Sequence, residues 1–221
     1  MSQPSAPPSV YQLRVVLRGI SPLIWRRLLV RSDTTLAHLH HILQIVFHWS
    51  DEHLHSFHIH GREYGRSGAQ TCPVLLSDLC LHRGERFRYV YDFGAHWACD
   101  IRLEAILLPA PRRVYPVCLA GKHAAPPEDC RGAWAYMERL EQHRLYPPLE
   151  AMAVVADAIS TLLEADPQTP VRAALGDLDD LREAIHGLET YQAFQPEHFN
   201  RGDINRQLLA GGQEEGAVRC R

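Results

Sequence analysis

The sequence predicts an α+β protein, and two kinds of hydrophobic spacing support that class. Residues 11–19 alternate apolar and polar side chains, which is the period of a half-buried strand, whereas residues 36–47 carry apolar side chains at helical intervals. Segments of these two kinds follow one another in the order hairpin, helix, strand, hairpin. That order predicts a β-grasp-like mixed sheet with a helical C-terminal part.

The first hairpin is predicted from residue 11 to residue 30, with Ser21 and Pro22 in its turn. Thr35 and the polar residues before it offer N-cap oxygens to the helix that follows. A strand at 55–64 and a short helical turn at 75–79 come next. Residues 86–93 and 97–108 then form a second hairpin across Gly94, and three further helices are predicted at 134–143, 149–164 and 178–188.

These elements predict four regions along the chain. Residues 1–9 form a disordered leader, and residues 10–145 form an α+β core domain. Residues 146–209 form a helical part that packs on the core, and residues 210–221 form a disordered tail. The formal net charge of -3 excludes a protein built wholly around nucleic-acid phosphates, although it leaves room for a local basic face.

The composition indicates a cytoplasmic protein with no membrane partner. The six cysteines contain no CxxC pair, and the start of the chain lacks an apolar signal segment. No apolar run reaches the ~20 residues of a membrane span. No P-loop, Rossmann fingerprint, GxSxG elbow or HExxH motif is present, so whether the protein is an enzyme stays open.

Two segments, at 91–97 and 126–130, combine aromatic, Gly or Pro residues with a few polar groups. Strand alternation turns Tyr91 and Trp97 inward, and two prolines stiffen the loop that carries two carboxylates. We therefore expect a binding cleft lined by His55, Tyr91, Asp92, Trp97, Glu128 and Asp129. The alternative is an aromatic core, in which Asp92 caps the Gly94 turn and the carboxylates cap the next helix.

A second hypothesis is a metal-dependent, zinc-type hydrolase. Cys and His side chains suit zinc, which is the only cofactor that these hypotheses require. Glu128 or Asp129 would act as general base, and the ligands would be His55, Cys99, Cys118 and Cys130. The cysteine spacing does not match zinc fingers, and buried inert thiols are the alternative explanation.

Other polar side chains fit solvent-exposed faces. The histidines of the first helix lie mostly off its apolar stripe, and they are His38, His40, His41 and His48. The first hairpin carries arginines on its solvent side, namely Arg14, Arg18, Arg26 and Arg27. Because guanidinium groups contact phosphates, nucleic-acid binding through these arginines is the third hypothesis.

Several short motifs stand in a fixed order along residues 10–145, and a further similar segment lies at 194–209. The motifs include Ile24-Trp25-Arg26, Leu39-His40, Trp49-x-x-x-His53-Leu54-His55-x-Phe57, Tyr91-Asp92-Phe93-Gly94-x-x-Trp97 and Pro126-Pro127-Glu128-Asp129-Cys130. By these motifs the chain resembles the Ri-plasmid ORF-three-like family. The resemblance implies a bacterial or archaeal protein, often encoded on a plasmid or mobile element, with no established activity. Some members carry a transposon-resolvase label, but nothing in this chain looks like a serine-recombinase site.

Two positions depart from the family pattern. Ala95 stands where the family usually has Asp, and Cys99 stands where it usually has His. The first change excludes an acid or base role at position 95, whereas Cys99 keeps a zinc-ligand chemistry. The residues and the resemblance together favour a non-catalytic binding or accessory module of a mobile genetic element, which recognises an unidentified protein or small ligand at the cleft.

Overall fold

The structure is a computed structural model that describes residues 8–65 and 73–218, with the backbone alone from residue 212 onward. Its strands are β1 Val10–Leu17, β2 Trp25–Arg31, β3 His55–Ile59, β4 Arg62–Tyr64, β5 Arg86–Tyr91, β6 Trp97–Leu107 and β7 Val117–Lys122. Its helices are α1 Leu36–Phe47, α2 Ala133–Leu145, α3 Leu149–Glu164, α4 Val171–Leu175, α5 Asp179–Ala193 and α6 Arg201–Val218. A 3-10 turn spans Leu76–Leu79.

The strands form one sheet in the order β4-β3-β5-β6-β1-β2-β7. The two predicted hairpins, β1–β2 and β5–β6, are present, and they join because β1 also pairs with β6. The α+β class is therefore confirmed. The β-grasp topology is not confirmed, because every strand pairing among the described residues is antiparallel, whereas the predicted mixed sheet needs a parallel pair.

One face of the sheet, here called the inner face, carries the core. Alternation along β1 buries Leu13, Val15 and Leu17 completely, and Tyr89 and Ile101 on the neighbouring strands are equally buried. Helix α1 covers this face with an apolar stripe of Leu39, Leu43, Val46 and Phe47. Burying each such aliphatic side chain contributes about 1.5–3 kcal/mol to folding.

Helix α1 has defined ends that fix which side chains face the sheet. The Thr35 hydroxyl accepts a hydrogen bond from His38 N at 3.0 Å, as the predicted N-cap requires. The helix ends at His48, whose φ of 54° is left-handed and whose N–H returns to the last turn. The chain then enters the 48–54 loop directly beside the ends of β3 and β5.

The chain divides into two compact units, and the division falls within α2. The described residues of 1–137 and 196–221 form the first unit, and residues 138–195 form the second. Helix α6 belongs to the first unit, where Asn205 supplies strand-like hydrogen bonds to the edge strand β7: its Oδ1 accepts from Cys118 N at 2.8 Å and its Nδ2 donates to Cys118 O at 3.0 Å.

In the second unit α3 and α5 pack together, and the Tyr191 hydroxyl donates to His143 O at 3.1 Å.

The last helix continues to Val218, within the range for which the sequence predicts a disordered tail, whereas most of the predicted leader lies outside the described residues. None of the described helices combines the length and the apolar composition that a membrane crossing requires.

Candidate functional sites

A closed ring of four polar residues lies between α1 and the inner face of the sheet; it is called the inner ring below. His40 is only 3% exposed, and its Nδ1 lies 2.7 Å from the Tyr89 hydroxyl while its Nε2 lies 2.5 Å from Asp51 Oδ1. Gln44 Nε2 donates to the Tyr89 hydroxyl at 2.8 Å, and Asp51 N donates to Gln44 Oε1 at 3.2 Å. Three contacts between side chains and one from the Asp51 backbone N–H therefore close the inner ring.

The ring fixes where the protons lie. A carboxylate only accepts hydrogen bonds, so the His40 Nε2–H donates to Asp51. Burial lowers the pKa of His40 more than Asp51 raises it, so the imidazole is neutral near pH 7 and its Nδ1 accepts from the Tyr89 hydroxyl. Burial also raises the pKa of Tyr89 far above its ordinary value, which keeps that hydroxyl protonated. The His40 Nε2–H, the Tyr89 hydroxyl and the Gln44 Nε2–H that close the ring are thus matched with acceptors, whereas the buried Trp97 Nε1–H has no hydrogen-bond partner among the described residues.

His55 stacks on His40, with ring centroids 3.5 Å apart and an interplanar angle of 11°. Burial, followed by the neighbouring His40, lowers the pKa of His55 to about 4. Gly65 allows this packing, since a Cβ atom there would lie 3.1 Å from His55 Cδ2. The pair is consequently a stack of two neutral imidazoles near pH 7.

A second set of contacts fastens the 126–130 loop onto the sheet. The Tyr91 hydroxyl donates to Glu128, and Ser50 N donates to the other Glu128 oxygen at 2.6 Å. Trp49 stacks on Tyr91 and donates its Nε1–H to Pro126 O at 3.3 Å. Burial alone would raise the pKa of Glu128, but the bonds from Tyr91 and Ser50 outweigh it and the net shift is downward, so the carboxylate stays ionised.

The structure brings together most of the residues that the sequence places in a cleft. Tyr91 pairs with His55 on one side and with Trp97 on the other, and its hydroxyl contacts Glu128. Tyr91 and Trp97 have no exposed surface, however, and both Glu128 carboxylate oxygens already accept hydrogen bonds, from the Tyr91 hydroxyl and from Ser50 N. The remaining two cleft residues differ: Asp92 accepts from Gly94 N at 2.9 Å, the turn cap that was the alternative, and Asp129 is exposed. The region is largely packed interior.

The structure does not bring the proposed zinc ligands together. Cys99 lies on β6 and Cys118 on β7, with β1 and β2 between them, so three strand spacings of about 4.8 Å separate them by about 14 Å. His55 on β3 is farther still from β7. Burial raises the pKa of both Cys99 and Cys118, which disfavours the thiolate that a metal needs. One ion cannot be shared by His55, Cys99, Cys118 and Cys130 in this arrangement.

A different trio has the spacing of a metal site. Within the described residues, the group whose His, Cys or carboxylate ligand atoms all lie within 4.8 Å of one another is His40, His41 and Asp51. The apolar stripe of α1 predicts both histidines on the solvated face of the helix, and Asp51 is not among the predicted site residues. The available signal was two adjacent histidines in the middle of α1 and an acid, Asp51, in the loop that follows the helix.

The outer face of the sheet carries arginines at matching positions on four adjacent strands. Arg86 on β5 pairs with Arg102 on β6, Arg102 pairs with Arg14 on β1, and Arg14 pairs with Arg27 on β2. These four residues, the arginine row, span three strand spacings, or about 14 Å. The sequence predicted Arg14 and Arg27 on this side but did not single out Arg86 or Arg102.

Three of the four arginines of the row form no direct ion pair among the described residues, although the Glu104 carboxylate that bonds Arg27 also attracts Arg14. Within the described part of the chain, Arg14, Arg86 and Arg102 form no ion pair with a carboxylate, and Arg14 Nε has no hydrogen-bond partner. Arg27 is the exception, because it bonds Glu104 at 2.6 and 3.0 Å. Trp25 lies between Arg14 and Arg27, with their guanidinium carbons 5.2 and 5.5 Å from its ring.

The positive surface continues beyond the row. A shallow depression of about 770 Å³ next to it is lined by Arg18, His58, His60, Arg86, Arg88 and Asp100. Asp100 lies 3.4 Å from Arg18 and 3.6 Å from Arg88, so one acid serves two bases. Together with the row, the outer face carries more arginines than acids, although the whole chain has a net charge of -3.

Arg26 does not belong to this surface, so its predicted nucleic-acid role is corrected. It is 1% exposed, because successive strand residues point to opposite faces and Arg27 faces outward. Its Nε donates to Val46 O at 3.0 Å and its Nη1 donates to Trp25 O at 2.9 Å and Lys122 O at 3.1 Å. Burial lowers the pKa of Arg26 to about 10, which still leaves the buried guanidinium charged.

Three comparisons place the chain among known proteins. A model of the family described as plasmid pRiA4b ORF-3-like protein matches residues 9–148. The uncharacterized protein y4hQ of Sinorhizobium fredii (strain NGR234) is 32% identical over 141 residues, which cover 60% of this chain and 72% of that protein. The crystal structure of MM3350, a protein of unknown function from Methanosarcina mazei Go1, is similar with a TM-score of 0.61 and 30% identity, over 90% of this chain and 98% of that one.

Proposed function

The chain belongs to the plasmid pRiA4b ORF-3-like family, and from that premise we propose that it is a non-catalytic module that binds the phosphate backbone of nucleic acid through the arginine row. Neither comparison protein carries a named activity, so the proposal rests on this chain's own surface. An accessory role on plasmid or mobile-element DNA follows from it.

The observation that carries the proposal is the cross-strand register of the row. Like charges placed directly opposite one another on antiparallel strands destabilise a sheet by up to about 1 kcal/mol for each pair. Here Arg102 faces arginines on both sides, Arg86 and Arg14, and none of the three is neutralised by an ion pair within the described residues. Apart from the contact of Arg14 with the Trp25 ring, the repulsion within such a row opposes folding, whereas guanidinium forks match the oxygens of phosphate groups.

The chemistry of the face favours backbone contacts over base recognition. Proteins that hold single strands usually stack bases on several exposed aromatic rings. The aromatic ring at the row is Trp25, and Arg14 and Arg27 already lie over it. We therefore expect binding to duplex DNA that is strongly dependent on salt and only weakly dependent on sequence.

The test is fluorescence-polarisation titration of the full chain with a labelled short duplex, at about 50 and 200 mM salt. The double variant Arg86→Ala/Arg102→Ala removes two row charges, and we expect it to weaken binding about tenfold at the lower salt and to reduce the salt slope by about 2. The control variant Arg182→Ala/Arg206→Ala removes two exposed arginines from α5 and α6, with the same change in net charge. It should bind as the unmodified chain does.

Two results would overturn the proposal. One is the absence of retention on duplex DNA at low salt. The other is an equal loss of affinity in both double variants, since the effect would then belong to net charge and not to the row. Tighter binding to single-stranded DNA or RNA of the same length would reject the expectation of a duplex target.

A further inference from the structure

We propose that His40, His41 and Asp51 bind a divalent first-row transition metal ion, with Zn²⁺ as the best chemical fit. Two imidazoles and one carboxylate form a ligand set that zinc accepts, with water in the remaining position. The inference is independent of the arginine row, because these residues lie with α1 on the other side of the sheet.

The geometry of Asp51 carries this proposal. Its Oδ1 lies 2.5 Å from His40 Nε2, and its Oδ2 lies 3.4 Å from His41 Nδ1. One carboxylate therefore stands between two imidazoles, and the ligand atoms of the trio meet within 4.8 Å. A zinc ion needs donors at about 2.0–2.2 Å. Small movements of the Asp51 and His41 side chains would bring all three to that distance.

The surroundings hold the trio in place. Tyr89 fixes the His40 ring through Nδ1, Gln44 holds the Asp51 backbone, and His55 stacks on His40. Partners of this kind orient metal-ligating imidazoles through the nitrogen that does not bind the ion. The His40 side chain is buried, whereas His41 and Asp51 are 55% and 36% exposed, so an ion can enter from solvent and keep a bound water.

Metal binding requires one proton to change position. In the metal-free ring His40 carries its proton on Nε2, where it faces Asp51. A protonated Nε2 has no lone pair to offer, so the ion can bind there only in the tautomer that carries its proton on Nδ1 and donates it to the Tyr89 oxygen. The Tyr89 hydroxyl then loses His40 as its acceptor. Because that hydrogen bond is lost on binding, we expect micromolar affinity and not the tighter binding of a closed structural site.

The test is isothermal titration of chelator-treated full-length protein with Zn²⁺, supported by the visible spectrum of Co²⁺. We expect one ion per chain at this site and a loss of at least about tenfold in affinity for His41→Ala and for Asp51→Asn. His41 is half exposed, so its removal should leave the fold intact. The matched control is His186→Ala, which removes an exposed-helix histidine from α5. It should bind zinc normally.

A second measurement needs no variant. Long-range ¹H–¹⁵N spectra of the His40 ring should show the proton on Nε2 in the metal-free protein and on Nδ1 after zinc is added. A purely structural inner ring would keep its tautomer. The proposal fails if zinc leaves the tautomer unchanged, if no ion binds at about 100 μM, or if binding survives both His41→Ala and Asp51→Asn, which would assign it to thiols elsewhere.

Discussion

The two faces of the central sheet treat polar groups in opposite ways. On the inner face Tyr89, His40, Gln44 and Asp51 close a ring in which each donor has an acceptor. On the outer face Arg86, Arg102 and Arg14 stand side by side with no ion pair in the described structure. A buried polar group without a partner costs folding free energy, whereas solvent tolerates an unpaired charge. Arg14 is an exception on the outer face, because its Nε is buried without a hydrogen-bond partner. Like charges in register on the outer face are thus the ones that need a functional explanation.

Arg26 and Arg27 provide the strongest way to test this difference, because they are adjacent in β2 and face opposite sides. Arg26→Ala leaves the carbonyls of Val46 and Lys122 without their buried donor and opens a hole against Phe199, which lies 4.6 Å from the guanidinium carbon. We expect a loss of about 3 kcal/mol or more in the free energy of unfolding, measured by urea denaturation. The Arg26→Lys variant keeps the charge and one donor group, so its free energy of unfolding should lie between those of the unmodified chain and Arg26→Ala.

Arg27→Ala is the matched control. It breaks an ion pair with Glu104 whose side chains are 32% and 18% exposed, so it should cost only about 1 kcal/mol, while its affinity for duplex DNA should fall. If the two alanine variants unfold at the same urea concentration, or if Arg27→Ala binds DNA normally, the claim that Arg26 serves the fold and Arg27 serves binding is refuted.

The folding stability that the inner face provides should also depend on pH, through the protonation of His55. In the folded protein burial holds the pKa of His55 at about 4, whereas in the unfolded chain it returns to about 6.5. Between these values the unfolded state binds more protons, so stability is complete above about pH 6.5 and is lost as the pH falls toward 4. His40 shifts in the same direction.

We expect the urea midpoint of the unmodified chain to drop between about pH 7 and about pH 5, and His55→Gln to reduce that drop. His82→Gln, which changes a histidine with an 89% exposed side chain, should keep the full pH dependence. If the urea midpoint drops equally in all three proteins between these pH values, His55 does not couple protonation to folding.

The sequence predicted the features that depend on neighbouring residues. The apolar stripe of α1, its Thr35 cap and both hairpins follow from local periodicity and turn chemistry. The pairing of β1 with β6 joins distant segments, and no local pattern specifies it. The arginine row depends on that pairing, because three separate strand registers must align before Arg86, Arg102, Arg14 and Arg27 stand in one line.

Two residues, Arg26 and His40, are buried although the sequence predicts them on solvent-exposed faces. Strand alternation alone forbids Arg26 and Arg27 from sharing a face, so one of them had to point inward. His40 was assigned to solvent with the other α1 histidines, yet it is among the buried residues of that helix. In both cases the charged or titratable side chain predicts exposure, whereas the hydrogen bonds that make its burial tolerable come from segments distant in sequence.

The smallest effect that we expect measures how much free energy of unfolding the protein loses through repulsion within the arginine row. Arg102 faces like charges on both sides, so Arg102→Thr, which also suits a strand, should raise the free energy of unfolding by about 0.2–1 kcal/mol at low salt. The gain should fade at high salt, where the repulsion is screened. Arg88→Thr is the matched control on the same face; it loses Asp100 at 3.6 Å and should not stabilise. If Arg102→Thr destabilises the protein as much as Arg88→Thr does, the row is part of what holds the sheet together, and the inference from strain to binding loses its ground.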